Sequence, residues 1–397
     1  MEPDLFDFWI SGVLSCFIAS IGIILNIISI YILSKRKEKS TTFNHMLIIL
    51  FIVDSVVLFT SILTDIIWNL RLENILVLIL LYPYFTYPIN NIALTASIFG
   101  TVSISHDRLA AIRRPITHRQ KLKLPCERRK HLFKYLAPMF LLATFINIPT
   151  FFEFDIVYAP SEMHKYLSNE TMNNELVTQS YVNKLIDTLK MKYNDSTSTS
   201  QNNITWSNNI VPWIYVSKQA FTHIYQFDRI YHWISLMMTG ILPFFLLSYF
   251  NFKLYHEIRK HGNIFSQQQK KSIESIKSVG GQIISEDDKT KEEIEMAKVL
   301  IGIVILFLVC HIMENFCDVI WGLSMFFPRI KVNDIAYATG RFEVIGGLGK
   351  VLIVVNSSLN MVIYGFINKR FREDGLKHFR TCFCGNKHVI SFDIELK

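Results

Sequence analysis

Two kinds of side chain in this sequence stand where their chemistry cannot be idle. Asp107 and Arg108 sit side by side just past a long apolar run and just before a basic stretch that begins at Arg113 and Arg114. An acid–base pair at the edge of a low-dielectric region is costly to leave unpaired, so it either forms an internal lock or ends a helix and reaches for the headgroups. Deeper within apolar runs lie Asn26, Asp54 and Asn360. A carboxylate there has to be balanced by a proton, a cation or a polar network. The three residues together would make one hydrated polar cluster; the plainer alternative is that each Asn bonds a nearby backbone carbonyl. There is no Ser/His/Asp set, HExxH or Gly-rich phosphate loop, and the buried acids are scattered singly, so the chain is not read as an enzyme and no cofactor is expected. The six cysteines, at 16, 126, 310, 317, 382 and 384, have no metal-ligand spacing and leave no extracellular disulfide framework.

The elements that must position these residues are seven apolar runs, 8–33, 46–67, 75–105, 132–152, 231–255, 299–321 and 345–367. Each is near or above the roughly 20 residues a helix needs to cross a bilayer. The net charge of +8 is spread beside these runs and not gathered in one basic domain, which fits the positive-inside rule and argues against a nucleic-acid partner. The expected fold class is an all-α membrane protein, a seven-transmembrane helix bundle embedded in lipid. Lys35, Arg36, Lys37 and Lys39 follow the first run and a denser basic cluster follows the third, so both loops are assigned to the cytoplasm. An odd number of spans then puts the amino-terminal stub, 1–7, outside and the tail, 368–397, inside, with the bundle domain over 8–367. The first run is too long for a signal-peptide core and is read as an uncleaved span.

Features not used in that assignment agree with it. Trp9, Trp68, Trp233 and Trp321 fall at the outer ends of runs, as an aromatic belt would place them. Glycosylation sequons at Asn169, Asn194 and Asn203 fall in the long 153–230 link that the count places outside. The third cytoplasmic loop is expected at 256–298. After the seventh run, Asn368-Lys369-Arg370-Phe371-Arg372 begins a short amphipathic helix along the inner leaflet, and Cys382 and Cys384 are candidates for palmitoylation.

The stretch from Asp107 to Pro115 resembles the D/E-R-Y-x-A-I-x-x-P signature of rhodopsin-like G-protein-coupled receptors, with Leu109 for the aromatic. Asn26 and Leu50-x-x-x-Asp54 lie where that family has its first- and second-helix polar residues. Asn360-Met361-Val362-Ile363-Tyr364 resembles N-P-x-x-Y with Met for Pro, and Phe307 to Met313 resembles F-x-x-C-W-x-P with His311 for Trp and Met313 for Pro. Pro243 keeps the family's fifth-helix proline. The family's outer disulfide has neither partner: the third-helix position falls near Pro83, and no Cys lies between 153 and 230. Asn147-Ile148-Pro149-Thr150-Phe151-Phe152-Glu153 resembles the N-x-P-x-F-F-E stretch of invertebrate FMRFamide-like neuropeptide receptors.

The resemblance implies a plasma-membrane receptor in which Arg108 pairs at rest with Asp107 and with Glu293 at the foot of the sixth helix. Glu292 and Glu295 compete for that role. Movement of the sixth helix would free Arg108 for a heterotrimeric G protein, with Arg113 and Tyr364 in the same switch region and arrestin as a further partner. Asp54 would bind water or sodium, the single metal the resemblance admits. The implied ligand is an amidated peptide ending in an Arg-aromatic dipeptide, faced by Asp65, Glu153, Glu314, Asp318 and Glu343, with His311 and Lys350 beside them. Each acid has a plainer reading as an ion pair within the bundle. Two other functions compete: a divergent chemosensory receptor for a small molecule, and a channel or transporter lined by the intramembrane charges, although no inverted repeat is present.

Overall fold

The computed structural model describes residues 7–35, 42–68, 76–114, 124–152, 154–160, 210–216, 225–275, 284–326, 342–368 and 371–373, with residues 117 and 375. The glycosylation sequons, Cys382, Cys384 and Glu153 lie outside the described residues, as do the side chains of Trp68, Glu293, Trp321 and Glu343. Helix α1 runs over 7–35, with a π-helical start at Asp7–Leu14. Helix α2 is Thr42–Trp68. Helix α3 is continuous over 76–113, from Leu76–Leu81 through a π-helical turn at Tyr82–Thr86 into Tyr87–Arg113. Helix α4 is Pro125–Ile146, closed by a 3-10 turn at Ile148–Phe152. Helix α5 covers 225–275 with a π-helical turn at Leu236–Ile241. Helix α6 is Ile284–Phe326 and α7 is Phe342–Ile367.

Among the described residues, six of these helices are long and apolar enough to cross a membrane: α1, α2, α4, α5, α6 and α7. The expected third span is present as the helix α3. It packs against α2, α4, α5 and α6 and buries Thr95, Ser97, Thr101 and Ser105. A helix that faces protein on most sides can carry hydroxyls where they find partners, and two bond a carbonyl in the preceding turn: Thr101 Oγ1 donates to Ser97 O at 3.0 Å and Ser105 Oγ to Thr101 O at 2.9 Å. The peripheral helices show the opposite pattern, with Phe133, Leu141 and Phe145 on α4, Phe245 and Phe252 on α5 and Ile305 and Val309 on α6 exposed. Such a continuous apolar coat belongs against lipid.

The two π-helical turns each lie beside a proline. Pro83 lies inside the α3 turn, with Pro88 just after it, and Pro243 follows the α5 turn. A proline withholds its N–H from the ladder, and a wider turn accommodates the lost bond. The sequence reading anticipated no strands, and there is one pair. Strand β1, Phe154–Pro160, runs antiparallel to β2, Ile210–Val216, with Phe154 opposite Val216 and Pro160 opposite Ile210. The pair lies against the first turns of α3, where the family's disulfide would otherwise tie the long link down. The described cysteines Cys16, Cys126, Cys310 and Cys317 are all free.

The largest core cluster fills the end of the bundle opposite the strands. It joins Phe43, Leu47 and Phe51 of α2, Ile104, Leu109 and Ile112 of α3, Leu247 and Leu254 of α5, Ala297, Leu300 and Ile303 of α6 and Tyr364 of α7. Leu109, the departure from the family's aromatic, is one of its buried members.

Candidate functional site

Half-way through the bundle, Asp54 is fully buried and joins three helices. Its Oδ1 accepts from Ser97 Oγ of α3 at 2.6 Å, and its Oδ2 accepts from Asn360 Nδ2 of α7 at 2.7 Å. The expected meeting of Asp54 with Asn360 is therefore direct. Asn26 follows the plainer alternative instead, donating from Nδ2 to the backbone oxygen of Ser357 on α7 at 3.2 Å. What brings α1 close enough is Gly22, one turn before Asn26: a Cβ built there would overlap Ser358 Oγ and stand 2.7 Å from Ser358 Cβ. Three buried side-chain amide oxygens surround this region, those of Asn26, Asn356 and Asn360, and none has a hydrogen-bond partner among the described residues. An all-oxygen donor set next to a carboxylate suits water or a hard cation such as sodium.

The next site lies at the far end of α3 from the strands. Arg108 Nη2 donates to Asp107 Oδ2 at 2.7 Å, and the two residues are 3% and 0% exposed. Because α3 continues to Arg113, the pair sits inside the helix and inside the core, and the reading in which Arg108 merely reaches for headgroups fails. Two residues that the sequence reading missed complete the surroundings. Phe43, in the first turn of α2, places its ring 4.5 Å from the Arg108 guanidinium carbon. His131, in the second turn of α4, holds Nε2 at 3.5 Å from Asp107 Oδ1. Its ring stands 5.0 Å from that of Tyr135, whose hydroxyl is 3.1 Å from His106 Nδ1. Arg113 turns elsewhere, donating from Nε to Glu257 of α5 at 3.3 Å. Helix α6 passes this region with Glu293 on it.

Tyr364 is fully buried and packs edge-on to Phe371, ring centroids 4.8 Å apart. Asn368 makes the joint beyond it: its Nδ2 donates to Tyr364 Oη at 3.3 Å while its Oδ1 accepts from the Phe371 N–H at 3.0 Å. That second bond is a helix N-cap, so the segment after α7 begins where the sequence reading placed it. Arg372 donates to the Phe366 carbonyl at the end of α7.

Towards the strand end, the ligand candidates divide. His311 is 4% exposed, stacked on Phe307 at 4.1 Å, with Nδ1 3.7 Å from Glu314 Oε2. Lys350 stands on α7, which packs against α6, and Glu314 and Asp318 lie one turn apart on α6. Helix α5 meets α6 through His232, whose Nε2 lies 3.1 Å from the Asp318 carbonyl oxygen. Asp65 of α2 is buried, with 9% of its surface exposed. The N-x-P-x-F-F-E stretch ties helices together here: Asn147 Nδ2 donates to Thr95 Oγ1 of α3 at 2.9 Å and to Ala143 O at 2.8 Å. Tyr231 of α5 adds a bond to the Ile146 carbonyl at 3.1 Å.

A family model described as the serpentine type 7TM GPCR chemoreceptor Srv matches residues 13–189, which takes in α1 to α4 and β1. The FMRFamide receptor of Drosophila melanogaster is 25% identical to this chain over 379 residues, covering 94% of the chain and 54% of the relative. The chain thus spans about half the length of the curated relative it matches. These similarities, with the long apolar helices, mark a multi-pass helical membrane protein that is similar to serpentine GPCR chemoreceptors and to FMRFamide receptors.

Proposed function

We propose that this chain, similar to seven-helix receptors along nearly its whole length, is a plasma-membrane receptor for an amidated FMRFamide-like peptide that signals through a heterotrimeric G protein. The amino terminus and the strand pair face outward in this reading, the tail and the Arg108 end face the cytoplasm, and the 153–230 link is glycosylated. The observation that carries it is Arg108, a guanidinium held inside the core by an adjacent carboxylate. A buried pair of that kind contributes little net stability, which suits a part that has to open.

The peptide's cationic end docks at Glu314 and Asp318, with His311, Lys350, Asp65, Glu153 and Glu343 around it. A ligand shifts the bundle only as far as it binds one state better than the other. The Ser97–Asp54–Asn360 bridge spans α2, α3 and α7, so a change in α7 reaches α3 through it. Sodium, when bound, would neutralise Asp54 and be held by that carboxylate and the neighbouring amide oxygens. On activation α6 withdraws from α3 and Arg108 turns to the G protein, with Arg113 and Tyr364 beside it; arrestin uses the same face, and Cys382 and Cys384 anchor the tail by palmitoylation. Glu293 is the α6 acid that steadies Arg108 at rest, and Glu293→Ala is expected to raise signalling without ligand.

The Srv similarity over residues 13–189 favours a second reading, a chemosensory receptor for a small molecule. G-protein activation in cells expressing the chain, challenged with a panel of short amidated peptides, separates the two. A dose-dependent response lost in Arg108→Ala is expected. Silence across the panel from protein present at the surface would overturn the peptide reading and leave the chemosensory one.

A further inference from the structure

The Asp107–Arg108 pair is gripped by two side chains, on α2 and α4, that lie outside the receptor motifs. Phe43 is fully buried in the first turn of α2, with Arg108 lying over its ring at 4.5 Å. His131 comes from α4 and approaches Oδ1 of Asp107 at 3.5 Å, while Arg108 takes Oδ2 at 2.7 Å. The two carboxylate oxygens are thus divided between two basic side chains on different helices. Opposite them stands an apolar wall from α6, where Ala297, Leu300 and Val304 are buried in the same cluster as Ile104, Leu109 and Ile112. A guanidinium cannot swing into that wall without carrying water or a counter-charge with it.

We propose that Phe43 and His131 are positioning residues that hold Arg108 in its resting orientation, Phe43 by offering a ring face to the guanidinium and His131 by orienting the Asp107 carboxylate that Arg108 grips. The inference rests on the receptor reading for its consequence, signalling, but not for its geometry. Both partners hold Arg108 on the α2 and α4 side of α3. The ring face stabilises the guanidinium where water is absent, the setting in which cation–π attraction is strongest. His131, donating a hydrogen bond when neutral and forming an ion pair when charged, fixes the rotamer of Asp107 in either form. Release of either grip lets Arg108 leave Asp107 and populates the state in which α6 has moved.

The test uses the full chain in detergent, with Lys298→Cys on α6 carrying an environment-sensitive fluorophore and Cys126 replaced by Ser. Phe43→Leu keeps the volume roughly but removes the ring face, and His131→Leu removes the donor. Each is expected to shift the fluorescence towards the open state and to raise its population by roughly three- to thirtyfold. Phe43→Tyr and His131→Lys restore a ring face and a cation, and both should return the wild-type spectrum, which a merely structural defect would not allow. In parallel, ligand-free nucleotide exchange is measured on added purified heterotrimeric G proteins. Exchange raised in the two Leu variants and abolished by adding Arg108→Ala supports both the grip and the receptor reading. A fluorescence shift without exchange from any variant supports the grip and removes the G-protein reading. Leu variants whose spectra match wild type, or Tyr and Lys variants that behave like the Leu ones, overturn the proposal.

Discussion

Gly22 offers the sharpest test of how the polar centre is assembled. Replacing it with alanine puts a Cβ into overlap with Ser358 Oγ, 2.7 Å from Ser358 Cβ and 2.8 Å from Leu58 Cδ1. Carbon contacts settle at about 3.5–4.0 Å, so α1 has to back away from α7 by about 1 Å, the leucine tip alone being free to yield. Asn26 lies one turn on and reaches Ser357 O at 3.2 Å, already the long end of the range. The same retreat breaks that bond. Overpacking costs about 1–3 kcal/mol and the lost bond about 1 kcal/mol, so Gly22→Ala is expected to destabilise the protein by about 2–4 kcal/mol. Ser358→Gly removes both atoms in the way, at the loss of the 2.7 Å bond from Ser358 Oγ to Val354 O and about 1 kcal/mol of helix propensity. The double variant should therefore lose less than the two single losses added together, by a coupling of about 1–2 kcal/mol. Gly346→Ala is the control, since a Cβ there meets nothing within 4 Å. The assay is the temperature at which half of the detergent-extracted protein still elutes as monomer. Gly346→Ala is expected at or above wild type, Gly22→Ala well below it, and the double variant above the sum of the two single losses. Strict additivity of Gly22→Ala and Ser358→Gly, or a Gly22→Ala protein as stable as wild type, would refute the close approach.

Asn147→Ala removes bonds to Thr95 and to the Ala143 carbonyl, and a loss of about 1–3 kcal/mol is expected in the same thermal assay; adding Thr95→Val should cost little more, because the pair has already been broken. Asn368→Ala takes away the N-cap at Phe371, about 1 kcal/mol, and should speed amide exchange at residues 371–375 while leaving α7 unchanged. Glu257→Gln breaks the Arg113–Glu257 pair, whose side chains are 41% and 21% exposed; its effect is expected to stay below about 1 kcal/mol and to vanish in high salt. A larger, salt-independent loss would mean that this pair holds α3 to α5.

The parts of the site that the sequence made legible are those where polar chemistry has no alternative. Asp54 and Asn360 lie in apolar surroundings, and groups so placed have to find each other. Ser97 was hidden because α3 carries a file of Ser and Thr residues at four-residue spacing, and a hydroxyl satisfied by its own helix looks the same in sequence as one aimed at a carboxylate. Phe43 and His131 were missed for a different reason. The apolar runs begin at Met46 and Leu132, so both residues read as loop, whereas α2 and α4 begin at Thr42 and Pro125. Apolarity marks the part of a helix that meets lipid and is silent about the turns that continue beyond it. The pairing of β1 with β2 joins residues 62 positions apart at one end, Phe154 with Val216, and 50 at the other, Pro160 with Ile210. Such pairing is decided by tertiary contact, although Val157, Tyr158, Trp213 and Tyr215 supplied the residue types for it.

The π-helical turns at Tyr82–Thr86 and Leu236–Ile241 bear on how residues are matched between this chain and its relatives. A single wide turn accommodates one extra residue in a helix. On the strand side of that turn, every position is rotated by about 100° relative to a relative whose helix lacks it. A gapless alignment through α3 or α5 would then equate a residue facing the bundle interior with one facing lipid, at the strand end of the bundle. Equivalences for Tyr231 or His232 need a one-residue gap placed at 236–241, whereas those for Ser97, Asp107 and Arg108 on the other side of the α3 turn need none.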